Sequence, residues 1–475
     1  MNPVLPPSVR RTRIVATLGP ASGAPETMGE LIRAGADVFR LNMSHAPHAW
    51  VRETVARVRE IAADSGRHTA LLLDTQGPAI RTGDVANPLQ LTPGDRLELA
   101  VRGARGEESH SVDVNYDGLV DDIAEGDTVL VDNGVIRLRV LRKTERTILC
   151  EVLTPGSLGS RRHINLPGVR VNLPALTEKD LADVALGAEL GVDFVALSFC
   201  KEAADIDQLR DVLARHGSRA GVIAKIEDQL AVRNIEGLIG AADAIMIARG
   251  DLGIECPMEE LPIIQRRVIK RCIRHGKPVI VATHMLESMI QNPLPTRAEI
   301  TDVANAVFEQ ADAIMLSGET AAGRYPVECV RVLDRVARRI ERSGGAGYAA
   351  DALVEDTDKK TVRSAVVLAN SLVNARLVVF TRRGKMAGFA SNLRPDRAPI
   401  FAFAPDAEIC RRLALLWGVE PVLLPFSDAP GETVLAAERL LREQNLAVAG
   451  DHLVIVSDAL HAGELVDSIQ LRPIT

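Results

Sequence analysis

The sequence predicts an α/β protein. It reads as a closed (β/α)8 TIM barrel with an inserted small β-barrel lid domain and a C-terminal α/β open-sheet regulatory domain. Three observations predict this. Eight short apolar runs each precede a helix-length segment, one long stretch of alternating residues interrupts them after the third, and βα alternation resumes beyond a Gly/Ala-rich linker. An open doubly wound sheet would carry a glycine fingerprint near its first helix, and the stretch from Gly19 to Ala24 matches one poorly.

The eight runs cover residues 13–20, 36–45, 70–78, 193–199, 222–228, 244–251, 278–285 and 313–320. The interruption, residues 83–168, alternates apolar and polar residues between turn signals such as Pro93-Gly94-Asp95 and Asp132-Asn133-Gly134, which favours hairpins. At the catalytic end of a barrel such an insertion is placed to act as a lid. Barrel parts are expected at 1–82 and 169–345, and the last domain at 346–475, with strands at 376–380, 399–404, 420–424 and 452–458. Thr177 with Asp180, and Thr296 with Glu299, have capping-box spacing.

Composition excludes several classes. A formal net charge of −7 lacks the basic surplus of a general nucleic-acid binder. No apolar run approaches the ~18 residues of a membrane span. The N-terminus lacks the apolar core of a secretory signal, and six scattered cysteines suggest neither disulfides nor a metal site, so a reduced, cytoplasmic setting is expected.

Polar residues recur at the strand ends, where a barrel carries its chemistry. Lys225 and Glu227 share one face of their strand, while Val222, Ala224 and Ile226 take the other. Asp251 ends the next strand. One cation and two carboxylates at one mouth suit a divalent metal beside a transferring anion, or else a structural Lys–Glu pair. Arg40, Asn42, Ser44, Asp74, Thr75, Thr283, Ser317 and Glu319 occupy the same register on other strands.

These stretches carry a resemblance. Residues 39–45 (FRLNMSH), 73–83 (LDTQGPAIRTG), 164–168 (INLPG), 224–228 (AKIED), 247–255 (IARGDLGIE) and 281–326 resemble the pyruvate kinase family, in family order and over nearly the whole chain. The resemblance implies transfer of the phosphoryl group of phosphoenolpyruvate to ADP, the last step of glycolysis, in a homotetramer. It implies Mg2+ (or Mn2+) on Glu227 and Asp251, and Lys225 stabilising charge on the transferring group. Arg40 and Arg81 would hold phosphate, and Gly250 with its neighbouring amides the substrate carboxylate. Thr283 would face the carbon that is protonated. K+ would lie among Asn42, Ser44, Asp74 and Thr75, and ADP/ATP would meet Asn42, His45, Arg81 and Arg162. Arg249 reads equally as a structural ion-pair partner, and Ser317 to Glu319 as a tight turn.

The departures are local. Gln76 and Ala79 replace the family's usual lysine and glutamate, and Ala79 supplies no built-in charge, so the expectation leans towards K+ dependence. His284 stands where the family usually has glutamine. In the last domain Thr381-Arg382-Arg383-Gly384-Lys385 replaces a hydroxyl-rich effector loop, leaving open a phosphorylated effector or a solvated basic turn. A metal-dependent aldolase on the same barrel is disfavoured by the lid, Arg81 and the C-terminal domain. A silent binding protein is disfavoured by the presence of Lys225, Glu227 and Asp251.

Overall fold

The computed structural model describes residues 10–475 apart from 102, 105–107, 109 and 462–463. The first nine residues, on which the signal-peptide reading rests, lie outside it. Eight parallel strands close into a barrel; seven fall within the apolar runs, and the fifth begins one residue early, at Gly221. They are Arg13–Thr17, Val38–Asn42, Ala70–Asp74, Phe194–Leu197, Gly221–Ile226, Ala244–Ala248, Val279–Ala282 and Ala313–Leu316. The third pairs directly with the fourth, Leu72 opposite Phe194, so the insertion leaves the strand order intact.

Alternation along each strand separates two cores. Val15, Leu72, Ile223, Met246 and Met315 fill the barrel interior, while Ile14, Leu73, Val222, Ile245 and Ile314 pack against the helices. Ile223 and Lys225 thus share the inward face, with the apolar residue below and the cation at the mouth.

The insertion holds its own apolar core, including Leu97, Val129, Leu138 and Ile148. Its strands form a six-stranded sheet and a two-stranded sheet. The small β-barrel of the lid is therefore two sheets on one core rather than a continuous ring among the described strands. Both capping boxes form, on Glu178–Glu189 and Arg297–Phe308.

The C-terminal sheet has five strands, four of them parallel. The fifth, Glu464–Pro473, runs antiparallel to His452–His461 and was absent from the sequence reading. This domain plugs the base of the barrel: Ala414 and Leu415 join the interior core, and Arg394 pairs with Asp312 at 2.7 Å.

Candidate active site

A cleft of about 410 Å³ opens between the C-terminal strand ends and the lid, and Arg40, Lys225, Glu227, Asp251 and Arg81 all line it. Lys225 Nζ lies 2.8 Å from Glu227 Oε1 and 3.2 Å from Asp74 Oδ1. Arg40 Nε lies 2.6 Å from Asp74 Oδ2 and Nη1 donates to Thr17 Oγ1. Burial opposes the charged form of Lys225, but Asp74 and Glu227 outweigh it and hold the ammonium protonated well above its ordinary range. Burial likewise opposes ionisation of Asp74, and Lys225 and Arg40 overcome it, keeping that carboxyl below its usual value. Glu227 goes the other way. Burial pushes it up to about 7, Lys225 pulls it down, and Asp251 adds repulsion.

That repulsion is a test of fit for a divalent ion. Two carboxylates facing one cleft, one of them reluctant to ionise alone, suit Mg2+ completed by substrate oxygens. Among the described residues no group of three or more His, Cys, Asp or Glu is arranged to hold a metal by itself. The K+ set fits less freely. Asn42, Ser44 and Thr75 line the cleft, whereas both Asp74 oxygens already face cations.

Other expected residues fall in different places. Thr283 adopts a left-handed φ of 69°, costly for a β-branched residue. Its Oγ1 accepts from Gly250 N–H at 2.7 Å and donates to Ala282 O, so one of the amides expected to bind the substrate carboxylate is already engaged. Arg249 proves to be a tie. It pairs with Asp302 at 2.7 Å and donates to Gln265, Ala282 O and Thr283 O. His45 sits exposed on the turn after the second strand, outside the cleft lining. Glu319 is fully buried and accepts from Leu286 N–H and Ser317 N–H, which makes its segment a strand-end turn. His284, also left-handed, is exposed. Gln76 and Gly77 donate their amides to Asp180, and Ala79 lines the cleft without a charge. Burial pushes the Cys256 thiol up to about 11.

The lid contributes Arg162, held 3.3 Å from Asp132, together with Arg161 and His163. Arg81 donates to Arg161 O and bridges to His163, tying lid to barrel. Burial lowers the His163 imidazole, partly offset by Asp251. Sequence reasoning missed Arg161, His163, Asp132 and Ser198. The lid residues arrive by long-range pairing and had no local signal. Ser198 follows the fourth strand, and the register argument applied to that strand would have found it.

The loop from Thr381 to Lys385 borders a separate cavity of about 460 Å³ in the C-terminal domain. Its charges are partly committed: Lys385 lies 2.8 Å from Asp358, and the Arg382 guanidinium sits 5.1 Å from the Phe426 ring.

Comparison with known proteins decides the family. Residues 9–330 match the pyruvate kinase barrel domain and residues 359–464 the pyruvate kinase alpha/beta domain. The chain belongs to the pyruvate kinase family. It is 42% identical to plastidial pyruvate kinase 3 of Arabidopsis thaliana, over 98% of this chain and 82% of that one. It is 40% identical to a pyruvate kinase of Mycobacterium intracellulare, over 95% of each. A crystal structure of a Cryptosporidium parvum pyruvate kinase superposes with a TM-score of 0.94 at 33% identity, covering 99% of this chain and 98% of that one. The activity is that of a phosphotransferase, carrying the phosphoryl group of phosphoenolpyruvate to ADP to give ATP and pyruvate.

Proposed function

We propose that the cleft performs this transfer by positioning and charge, with no covalent intermediate on the protein. Phosphoryl transfer spreads negative charge over equatorial oxygens and asks mainly for cations in fixed places. The observation that carries the reading is the meeting of Lys225, Arg40, Glu227 and Asp251 at one open mouth.

Lys225 faces the transferring group and the enolate left behind. Arg40, braced by Asp74 and Thr17, offers a planar fork to phosphate, and Arg81 a second from the lid hinge. Glu227 and Asp251 hold Mg2+ or Mn2+, which supplies charge neutralisation on the phosphate oxygens. Asn42, Ser44, Asp74 and Thr75 hold K+. Thr283 places its hydroxyl near the carbon to be protonated and redirects the proton now given to Ala282 O. Asn42, Arg81 and Arg162 meet the nucleotide inside the cleft, and His45 meets it beyond the rim. The reading extends to a homotetramer in the cytoplasm, with a phosphorylated effector at the loop from Thr381 to Lys385.

The test is pyruvate release from phosphoenolpyruvate, ADP and Mg2+, with K+ titrated from zero at fixed ionic strength. Turnover rising from near nothing with K+ supports both the residue roles and the cation set. Turnover indifferent to K+ removes the K+ assignment alone, and none at any K+ overturns the reading of the cleft.

A further inference from the structure

The fourth barrel strand, Phe194–Leu197, ends in a two-residue turn that touches both members of the central ion pair. Lys225 Nζ donates to Ser198 Oγ at 2.6 Å, and Phe199 N–H donates to Glu227 Oε2 at 2.6 Å. One turn thus supplies an acceptor for the cation and a donor for its carboxylate. An ammonium has three N–H bonds, and Ser198, Glu227 and Asp74 account for all three. Ser198 is the one neutral partner, so its contact is the one an incoming phosphoryl oxygen displaces at least electrostatic cost.

The hydroxyl is itself oriented. Ser198 Oγ donates to Thr75 O at 2.7 Å, and Ser198 N–H donates to Thr75 Oγ1 at 3.1 Å. With its only proton committed to a carbonyl, Ser198 presents a lone pair to Lys225. Ser198 is 1% exposed, yet it borders the cleft, so its contact with Lys225 lies where a substrate oxygen can reach it. The turn is also held against strain. Phe199 has a φ of 54°, a left-handed conformation that is strained for a bulky residue and persists only where its surroundings impose it. Those surroundings are visible: a Cβ on Gly77 would stand 2.9 Å from both Ser198 Cβ and the Phe199 ring, so the third strand's turn lies flat against this one.

We propose that Ser198 is a positioning residue for the phosphoryl transfer. It holds the Lys225 ammonium at the distance and angle from which it passes to the transferring group. Phe199 N–H fixes Glu227 from the same turn. The proposal rests on the reading of Lys225 as the charge stabiliser.

The experiment compares purified Ser198→Ala, Ser198→Thr and Lys225→Met with the parent protein, recording kcat, KM for phosphoenolpyruvate, KM for ADP and thermal melting. Ser198→Ala is expected to lower kcat by about 10- to 100-fold, the span of one charge-assisted hydrogen bond. KM for ADP and the melting temperature stay near the parent's. Ser198→Thr, which keeps the hydroxyl, restores most of kcat. A packing role would instead lower melting and leave Thr, the bulkier residue, no better than Ala. Parent-like kcat in Ser198→Ala, or equal damage by Ala and Thr, overturns the proposal. If Ser198→Ala does not fold, a folded Ser198→Thr at parent kcat supports the proposal and a folded but slow one overturns it. Parent-like turnover in Lys225→Met sinks the underlying reading instead, so the two failures are distinguishable.

Discussion

Both ends of the barrel bury charge, and the two ends treat it differently. At the base, Asp37 pairs with Arg10 and Arg13 and accepts from Ile14 N–H. Asp312 there pairs with Arg394 and accepts from Val279 N–H at 3.0 Å. Each of these charges faces an opposite charge in the protein, and Arg394 is supplied by the C-terminal domain, which also accepts from Arg13 at Leu416 O. At the mouth, Lys225, Asp74, Glu227 and Arg40 are as deeply buried as side chains, yet all but Asp74 border an open cleft, and Glu227 is held at about 7 by burial and Asp251. A buried pair that is complete is architecture. One left with a reluctant carboxylate at the edge of an open cleft is poised for a ligand.

Substitutions that remove one charge at each end separate the two roles. At the mouth, Asp251→Asn is expected to reduce turnover by about 100-fold or more, on the scale of losing a group that stabilises transition-state charge, with melting nearly unchanged. Steady-state kinetics against Mg2+ concentration would show it, and unchanged Mg2+ dependence would remove Asp251 from the metal set. At the base, Asp312→Ala leaves Arg394 buried and unpaired, which costs about 3–5 kcal/mol. Chemical denaturation reads that loss, while kcat per folded molecule stays at the parent value.

Glu255 sharpens the comparison just behind the mouth. Burial pushes its carboxyl up from 4.5 to about 7, opposed by the hydrogen bond from Asn165. A raised carboxyl binds its proton more tightly when folded. Its stabilising contribution is therefore complete below pH 4.5 and is lost as pH rises through about 7. Glu255→Gln should flatten the stability–pH curve in that window by about 3 kcal/mol at most. Parallel curves for parent and variant in urea melts would contradict the assignment. The smallest effect is expected far from either cluster: Thr296→Ala removes the cap of Arg297–Phe308 and costs about 1 kcal/mol. Thermal melting checks it.

Much of this contrast was legible beforehand. The eight strands were readable because each is apolar on both faces, and Lys225 and Glu227 broke that pattern at the same parity. The closing strand Glu464–Pro473 was missed because it is an edge strand whose apolar residues Ile469 and Leu471 stay exposed, so it carries no buried apolar run. Arg249 was ambiguous because its partners Gln265 and Asp302 come from two other helices, Leu261–His275 and Arg297–Phe308. Arg161 and His163 reach the cleft only when the inserted sheet folds over it. No local spacing encodes that approach.

The central claim is that the charges at the mouth are there to act rather than to hold the fold. Lys225→Met tests it most directly, with pyruvate formation and thermal melting measured on the same preparation. The account predicts loss of turnover by about 1,000-fold or more in a protein that melts within a few degrees of the parent. Retained turnover in a folded variant, or collapse of the fold with its activity, would place Lys225 with the structural pairs at the base.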